Sequence, residues 1–214
     1  MSNKDMHERR DVAVKPSTSA KTLAKLATDK DWRVRCAVAG NPNTPSDALA
    51  RIATDEDEYV RLAVAENPNT PSCVLAILTM DKYGYIRQAV AENPSAPGDA
   101  LTVLATDEDW LVRREVAYKP STPVGALNRL VTDKDWRVRW AMVENPNVTD
   151  NILLIASRDR NTNVREAVAR NPKIPPEAVK RLSLSKVSRI RKALSENPAV
   201  PEHIRVGLSL WAGQ

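Results

Sequence analysis

Apolar positions along the chain fall into two short clusters that return together every 26 residues. Residues 29–54 show one period. Asp31 precedes Arg33-Val34-Arg35-Cys36-Ala37-Val38-Ala39, a stretch that reads as a helix of about two turns with Asp31 as its N-cap. Pro42 has no N–H to donate and pushes Asn41 out of helical angles, so this helix must stop near Ala39. The chain then restarts at Asn43-Thr44-Pro45, with Thr44 as the expected cap and Pro45 at the first helical position. A second helix through Ser46–Ala53, roughly three turns, sets Ala48, Leu49, Ile52 and Ala53 on one face. Helices this short are marginal alone and persist only by burying that face against neighbours.

The copies begin near Glu8, Val34, Val60, Ile86, Val112, Val138, Val164 and Ile190, which predicts eight two-helix units. Arg recurs without exception at 9, 35, 61, 87, 113, 139, 165 and 191, and Pro at 16, 42, 68, 94, 120, 146, 172 and 198. Asn precedes each of those prolines except at Lys15 and Lys119. The end copies depart from the rest: Asp11 replaces the usual Ala, Ser19 replaces the second Pro, and the Asp column gives way to Ser185 and Trp211. Such differences suit capping units that face water on one side. The expected fold class is all-α, an α-solenoid, with residues 1–214 forming a single helical-repeat domain.

The combined Asp, Val-Arg and Asn-Pro columns, as in Asp29, Val34-Arg35 and Asn41-Pro42, resemble the bacterial leucine-rich repeat variant family across essentially the whole chain. That resemblance implies a right-handed superhelix pairing an α-helix with a short 3₁₀ or second helix. The Asp and Val-Arg columns are also similar to the ladder of HEAT repeats. The family's founding member carries an iron–sulfur cluster on a cysteine-rich module, and this chain offers only Cys36 and Cys73, in different columns. No metal and no cofactor is therefore expected, and unpaired cysteines fit a reducing cytoplasm. No run of about 18 apolar residues predicts a membrane span, and residues 1–10 lack the apolar core of a signal peptide.

Net charge is +5 but unevenly placed. Residues 1–107 carry 13 Lys and Arg against 15 Asp and Glu, whereas residues 108–214 carry 19 against 12. The Arg column invites reading as a phosphate-tracking stripe, yet an Arg seldom lies buried without a partner, and Asp29, Asp55, Asp81, Asp107, Asp133 and Asp159 stand six residues before Arg35, Arg61, Arg87, Arg113, Arg139 and Arg165. Each Arg is expected to pair with the Asp before it in a structural ladder, leaving Arg9 and Arg191 without that acid. The Asn column is expected to satisfy turn backbone, and Trp32, Trp110 and Trp136 to pack between units.

Trp140 stands in a freely varying column and is expected to be exposed, where it could anchor a partner. With it, the candidate partner-binding residues are the basic ones outside the ladder: Arg158, Arg160, Arg170, Lys173, Lys180, Arg181, Lys186, Arg189 and Lys192. His7 and His203 neither repeat nor join a metal motif, and no nucleophile elbow or phosphate-cradling Gly loop occurs. A glycosylase chemistry like that of HEAT-like alkylpurine glycosylases would need a free cleft aspartate. The expected function is thus non-catalytic: binding of another macromolecule, a protein first, with nucleic acid or another polyanion as the alternative, and no small-molecule substrate.

Overall fold

The computed structural model describes residues 3–211, and these contain sixteen helices and no strand. They form eight consecutive pairs, the fold class of a helical-repeat solenoid. By internal packing the chain divides into two compact units, the first ending at Val112 and the second beginning at Arg113.

In the first unit the leading helices of successive repeats, α1 (Asn3–Val14), α3 (Trp32–Ala39), α5 (Glu58–Glu66) and α7 (Gly84–Glu92), pack side by side. The trailing helices, α2 (Ala20–Leu26), α4 (Ser46–Ile52), α6 (Ser72–Leu78) and α8 (Gly98–Leu104), fold back on them. Helix α9 (Trp110–Tyr118) spans the division. The second unit continues with α10 (Val124–Leu130), α11 (Trp136–Val143), α12 (Asp150–Ala156), α13 (Thr162–Arg170), α14 (Pro176–Ser183), α15 (Ser188–Glu196) and α16 (Glu202–Trp211). There α11, α13 and α15 pack in succession and α12 meets α14.

The core is built from columns, as the periodicity requires. Val34, Val60, Ile86, Val138, Val164 and Ile190 are wholly buried, and so are Leu49, Leu75, Leu101, Leu127 and Leu153 one helix later. Burying each such side chain is worth about 1.5–3 kcal/mol, which two-turn helices need because their own backbone bonds barely repay nucleation.

Three local expectations are corrected. Asp31 caps α3 as expected, its carboxylate accepting the Arg33 N–H at 2.9 Å. Thr44, however, does not cap α4: its hydroxyl donates backward to the Val38 carbonyl in the last turn of α3, as Thr70 does to Val64 and Thr122 to Val116. Pro45 is itself the N-cap, so α4 begins at Ser46 and runs two turns rather than three. The trailing helices, left open between 3₁₀ and α, are α-helical. Ser19, in place of the second Pro, caps α2 through its hydroxyl, which accepts the Thr22 N–H.

Candidate protein-binding surface

The pairing of the ladder cations decides how much charge is left for a partner. Each Arg reaches forward, not back. Arg9, Arg35, Arg61, Arg87, Arg113 and Arg139 donate through Nε at 2.5–2.6 Å to Asp29, Asp55, Asp81, Asp107, Asp133 and Asp159, twenty residues later in the next repeat. Nη2 completes the fork at 2.8–3.4 Å. The six-residue spacing also has a physical meaning, but through the main chain: Arg35, Arg61, Arg87, Arg139 and Arg165 donate Nη1 to the carbonyl of the Asp six residues before. One guanidinium therefore ties two successive loops.

This corrects one end of the ladder: Arg9, expected to lack an acid, is paired with Asp29, and the position twenty residues after Arg165 is Ser185, where the forward rule would put an acid. Along the paired stretch from Arg35 to Asp159 both partners are at most 11% exposed. Burial works against ionisation of Asp29, Asp55, Asp81 and Asp159, yet the Arg forks, a backbone N–H two residues on and neighbouring cations outweigh it, holding these carboxyls below the ordinary aspartate range. Matched in this way, the ladder has no spare positive charge for phosphate along those rungs.

The Asn column likewise serves the backbone. Asn67 donates Nδ2 to the Ala39 and Asn41 carbonyls at 2.6 and 3.0 Å and accepts the Asn69 N–H at 2.9 Å; Asn41, Asn93, Asn145 and Asn197 repeat the pattern. Asn69 and Asn147 carry this one step further by donating to the Pro42 and Pro120 carbonyls. Lys173 occupies the same column, and its ammonium donates to the Pro146 carbonyl at 2.5 Å. That cation belongs to the repeat's own bonding.

The remaining basic candidates do not lie together. Arg158, Lys180 and Arg181 surround a groove between the trailing helices α12 and α14, beside Glu177. Arg158 also lines a second groove at the Asp-bearing loops with Lys134 and Arg160, where Asp133 and Asp159 are already held by arginine. Lys186 lies near the last loop of that edge, beside Ser185.

Arg170, Arg189 and Lys192 share the leading-helix face with Trp140. They alternate with acids there: Arg170 and Arg189 meet Glu166 at 3.1 and 3.3 Å, and Arg170 and Lys192 both approach Glu196 at 3.8 Å. Trp140 is half-buried rather than fully exposed, its ring meeting Tyr118 edge-on at 5.8 Å. It lines a groove of about 410 Å³ with Trp136, Glu144, Glu166 and Arg170. An Arg137 guanidinium lies 5.4 Å from the Trp136 ring. In the first unit, Trp32 stacks on Tyr59 of the next repeat at 5.5 Å, as expected of an aromatic packing between repeats.

Sequence reasoning missed Tyr118, Trp136, Glu144 and Glu166 as neighbours of Trp140. The signal was present: residues 136, 140 and 144 share a helical face, and a 26-residue step from 140 leads to 166 on the adjoining leading helix. Among the described residues no group of His, Cys, Asp and Glu could hold a metal, and no helix is long and apolar enough to cross a membrane.

The family model of the leucine-rich repeat variant matches residues 32–57, 86–109 and 110–135. A solved structure described as a leucine-rich repeat variant with a novel repetitive protein structural motif is similar at 25% identity, over 89% of this chain and 80% of that one, with a TM-score of 0.67. A computationally designed armadillo repeat protein for modular peptide recognition aligns at 14% identity over 99% and 94% of the two chains, with a TM-score of only 0.26. No curated protein matches.

Proposed function

We propose, for a chain three of whose repeats match the leucine-rich repeat variant model, a non-catalytic scaffold role: it binds another protein through the leading-helix face of its second unit, with Trp140 as anchor. The observation that carries this reading is the Trp140 groove, in which an aromatic ring, a second Trp and an Arg are rimmed by charges of both signs. Half-buried Trp and Arg side chains are the residue types that dominate protein interfaces, and alternating charge gives a partner register as well as attraction. Glu144, Glu166 and Glu196 on the same face would repel a phosphate backbone, which favours protein over nucleic acid there. Arg170, Arg189 and Lys192 act with Trp140 in this reading.

The test is capture from a native extract by immobilised protein, comparing the wild type with Trp140→Ala. Truncating a hot-spot Trp costs about 2 kcal/mol or more, so the captured protein should bind the variant roughly thirtyfold more weakly while the melting temperature stays unchanged. Equal capture by both would sink the proposal.

A polyanion reading is kept for the other faces because Arg158 lines two grooves and so links Lys180 and Arg181 to Lys134 and Arg160, with Glu177 the one acid there not held in the ladder. Under that reading Arg158, Arg160, Lys180, Arg181 and Lys186 contact phosphates. Oligonucleotide affinity would then fall steeply with salt, and neutralising Arg158, Lys180 and Arg181 would flatten that dependence. Absence of binding at low salt removes this alternative.

A further inference from the structure

Arg165 is a ladder cation whose forward position, 185, carries no acid; position 211, twenty residues after Arg191, carries none either. In six rungs the Asp carboxylate takes three donors: Arg Nε, Arg Nη2 and the backbone N–H two residues on, the last at 2.7–3.0 Å. At the seventh, position 185 is Ser. Its hydroxyl accepts the Val187 N–H at 3.2 Å, but Arg165 forms no ion pair with any described carboxylate. Nη1 of Arg165 holds the Asp159 carbonyl and Nη2 turns to the Thr162 hydroxyl at 3.2 Å. Its Nε edge, the one that meets a carboxylate in every paired rung, makes no hydrogen bond to a described residue.

The next residue adds charge of the same sign. In two paired rungs the residue after the Asp reaches the same fork: Glu56 comes to 3.9 Å from Arg35, and Glu108 to 3.3 Å from Arg87. The corresponding residue at the seventh rung is Lys186, exposed, as Lys30, Lys82, Lys134 and Arg160 are in the other four paired rungs, so no second acid competes for the Arg165 fork there. Past Ser185 and Lys186, on the side of the next cation Arg191, opens a mainly apolar groove of about 440 Å³ lined also by Leu184, His203, Ile204 and Leu208, with Leu184 itself 81% exposed.

We propose that this rung is a receptor for a carboxylate supplied in trans: an Asp or Glu side chain of an acidic segment on another protein, seated on the Arg165 fork in the place the ladder's own Asp fills elsewhere. Carboxylate is the favoured chemistry because six sibling forks hold that group bidentately. Lys186 adds long-range attraction, and the Ser185 hydroxyl can turn to donate. The apolar groove favours a peptide over a free ion, since it can cover a side chain flanking the acid.

The site stands apart from the Trp140 groove, and its test is separable. A fluorescein-labelled hexaglutamate peptide is titrated at low salt into the full chain while the Nε–H resonance of Arg165 is followed by NMR. The resonance should shift with the binding curve. Ser185→Asp supplies the missing carboxylate in cis; it should raise the melting temperature by about 2–4 °C and weaken hexaglutamate binding at least tenfold. Ser185→Ala should weaken it much less, and Trp140→Ala should leave it unchanged. Absence of binding to the wild type, equal binding by Ser185→Asp, or an Arg165 shift as large with acetate at the same carboxylate concentration would each overturn the assignment.

Discussion

At the scale of the residue, the ladder Asp is the side chain on which most depends. Asp81 is 5% exposed and accepts from Arg61 at 2.6 Å and from the Tyr83 N–H at 3.0 Å. Asp81→Ala leaves a buried guanidinium without its counter-charge and an N–H without its acceptor, so it should cost about 3–5 kcal/mol in a denaturant titration. The same pairing sets acid stability. Asp29, Asp55, Asp81 and Asp159 have folded pKa values below those of the unfolded chain, so the unfolded state binds protons first as pH falls. Their contribution is complete above about pH 4 and is lost as pH drops through the folded values. Stability should hold level down to about pH 4 and then decline, with a shallower decline in Asp81→Asn because one titrating group is gone. That the Arg and Asp columns belong together was legible in the sequence. Which Asp served which Arg was not, because a period of 26 places an acid both 6 residues behind and 20 ahead, and only the fold decides which carboxylate reaches the fork.

At the scale of the element, helices of seven to nine residues survive because their ends are tied to the neighbouring repeat. Asn67 takes the free carbonyls of Ala39 and Asn41 in the preceding repeat. Asn67→Ala leaves both unpaired in a site where the native residue is 3% exposed, at about 1–3 kcal/mol for each orphaned group. Hydrogen exchange at the end of α3 should quicken more than at α7, a local loosening that a uniform loss of stability would not produce. The positions of both helices in each pair were readable from Pro and from apolar spacing. The role of Thr44 was not, because a hydroxyl two residues from a helix start can cap forward or bond backward, and the Pro45 carbonyl already serves the first turn of α4.

At the scale of the molecule, charge is segregated between the two units. The first, residues 1–112, carries 13 Lys and Arg against 17 Asp and Glu, net −4; the second, residues 113–214, carries 19 against 10, net +9. The sequence showed this imbalance but not its layout. The basic candidates come from different columns of the repeat, so Lys173 fills a structural role, Arg158 and Arg181 lie at the trailing helices, and only Arg170, Arg189 and Lys192 join Trp140. On the proposed reading, a positive second unit would steer an acidic partner from beyond contact, whereas a half-buried Trp would act only once the surfaces had met. The two effects therefore separate in kinetics. With a captured partner in hand, raising salt from 50 to 300 mM should lower the association rate severalfold, because the Debye length shrinks below the spacing of exposed charges, and should leave dissociation nearly constant. Trp140→Ala should do the opposite, speeding dissociation with little change in association. An association rate indifferent to salt would mean that the charge of the second unit serves solubility rather than recognition, and would leave the Trp140 groove as the sole determinant of binding.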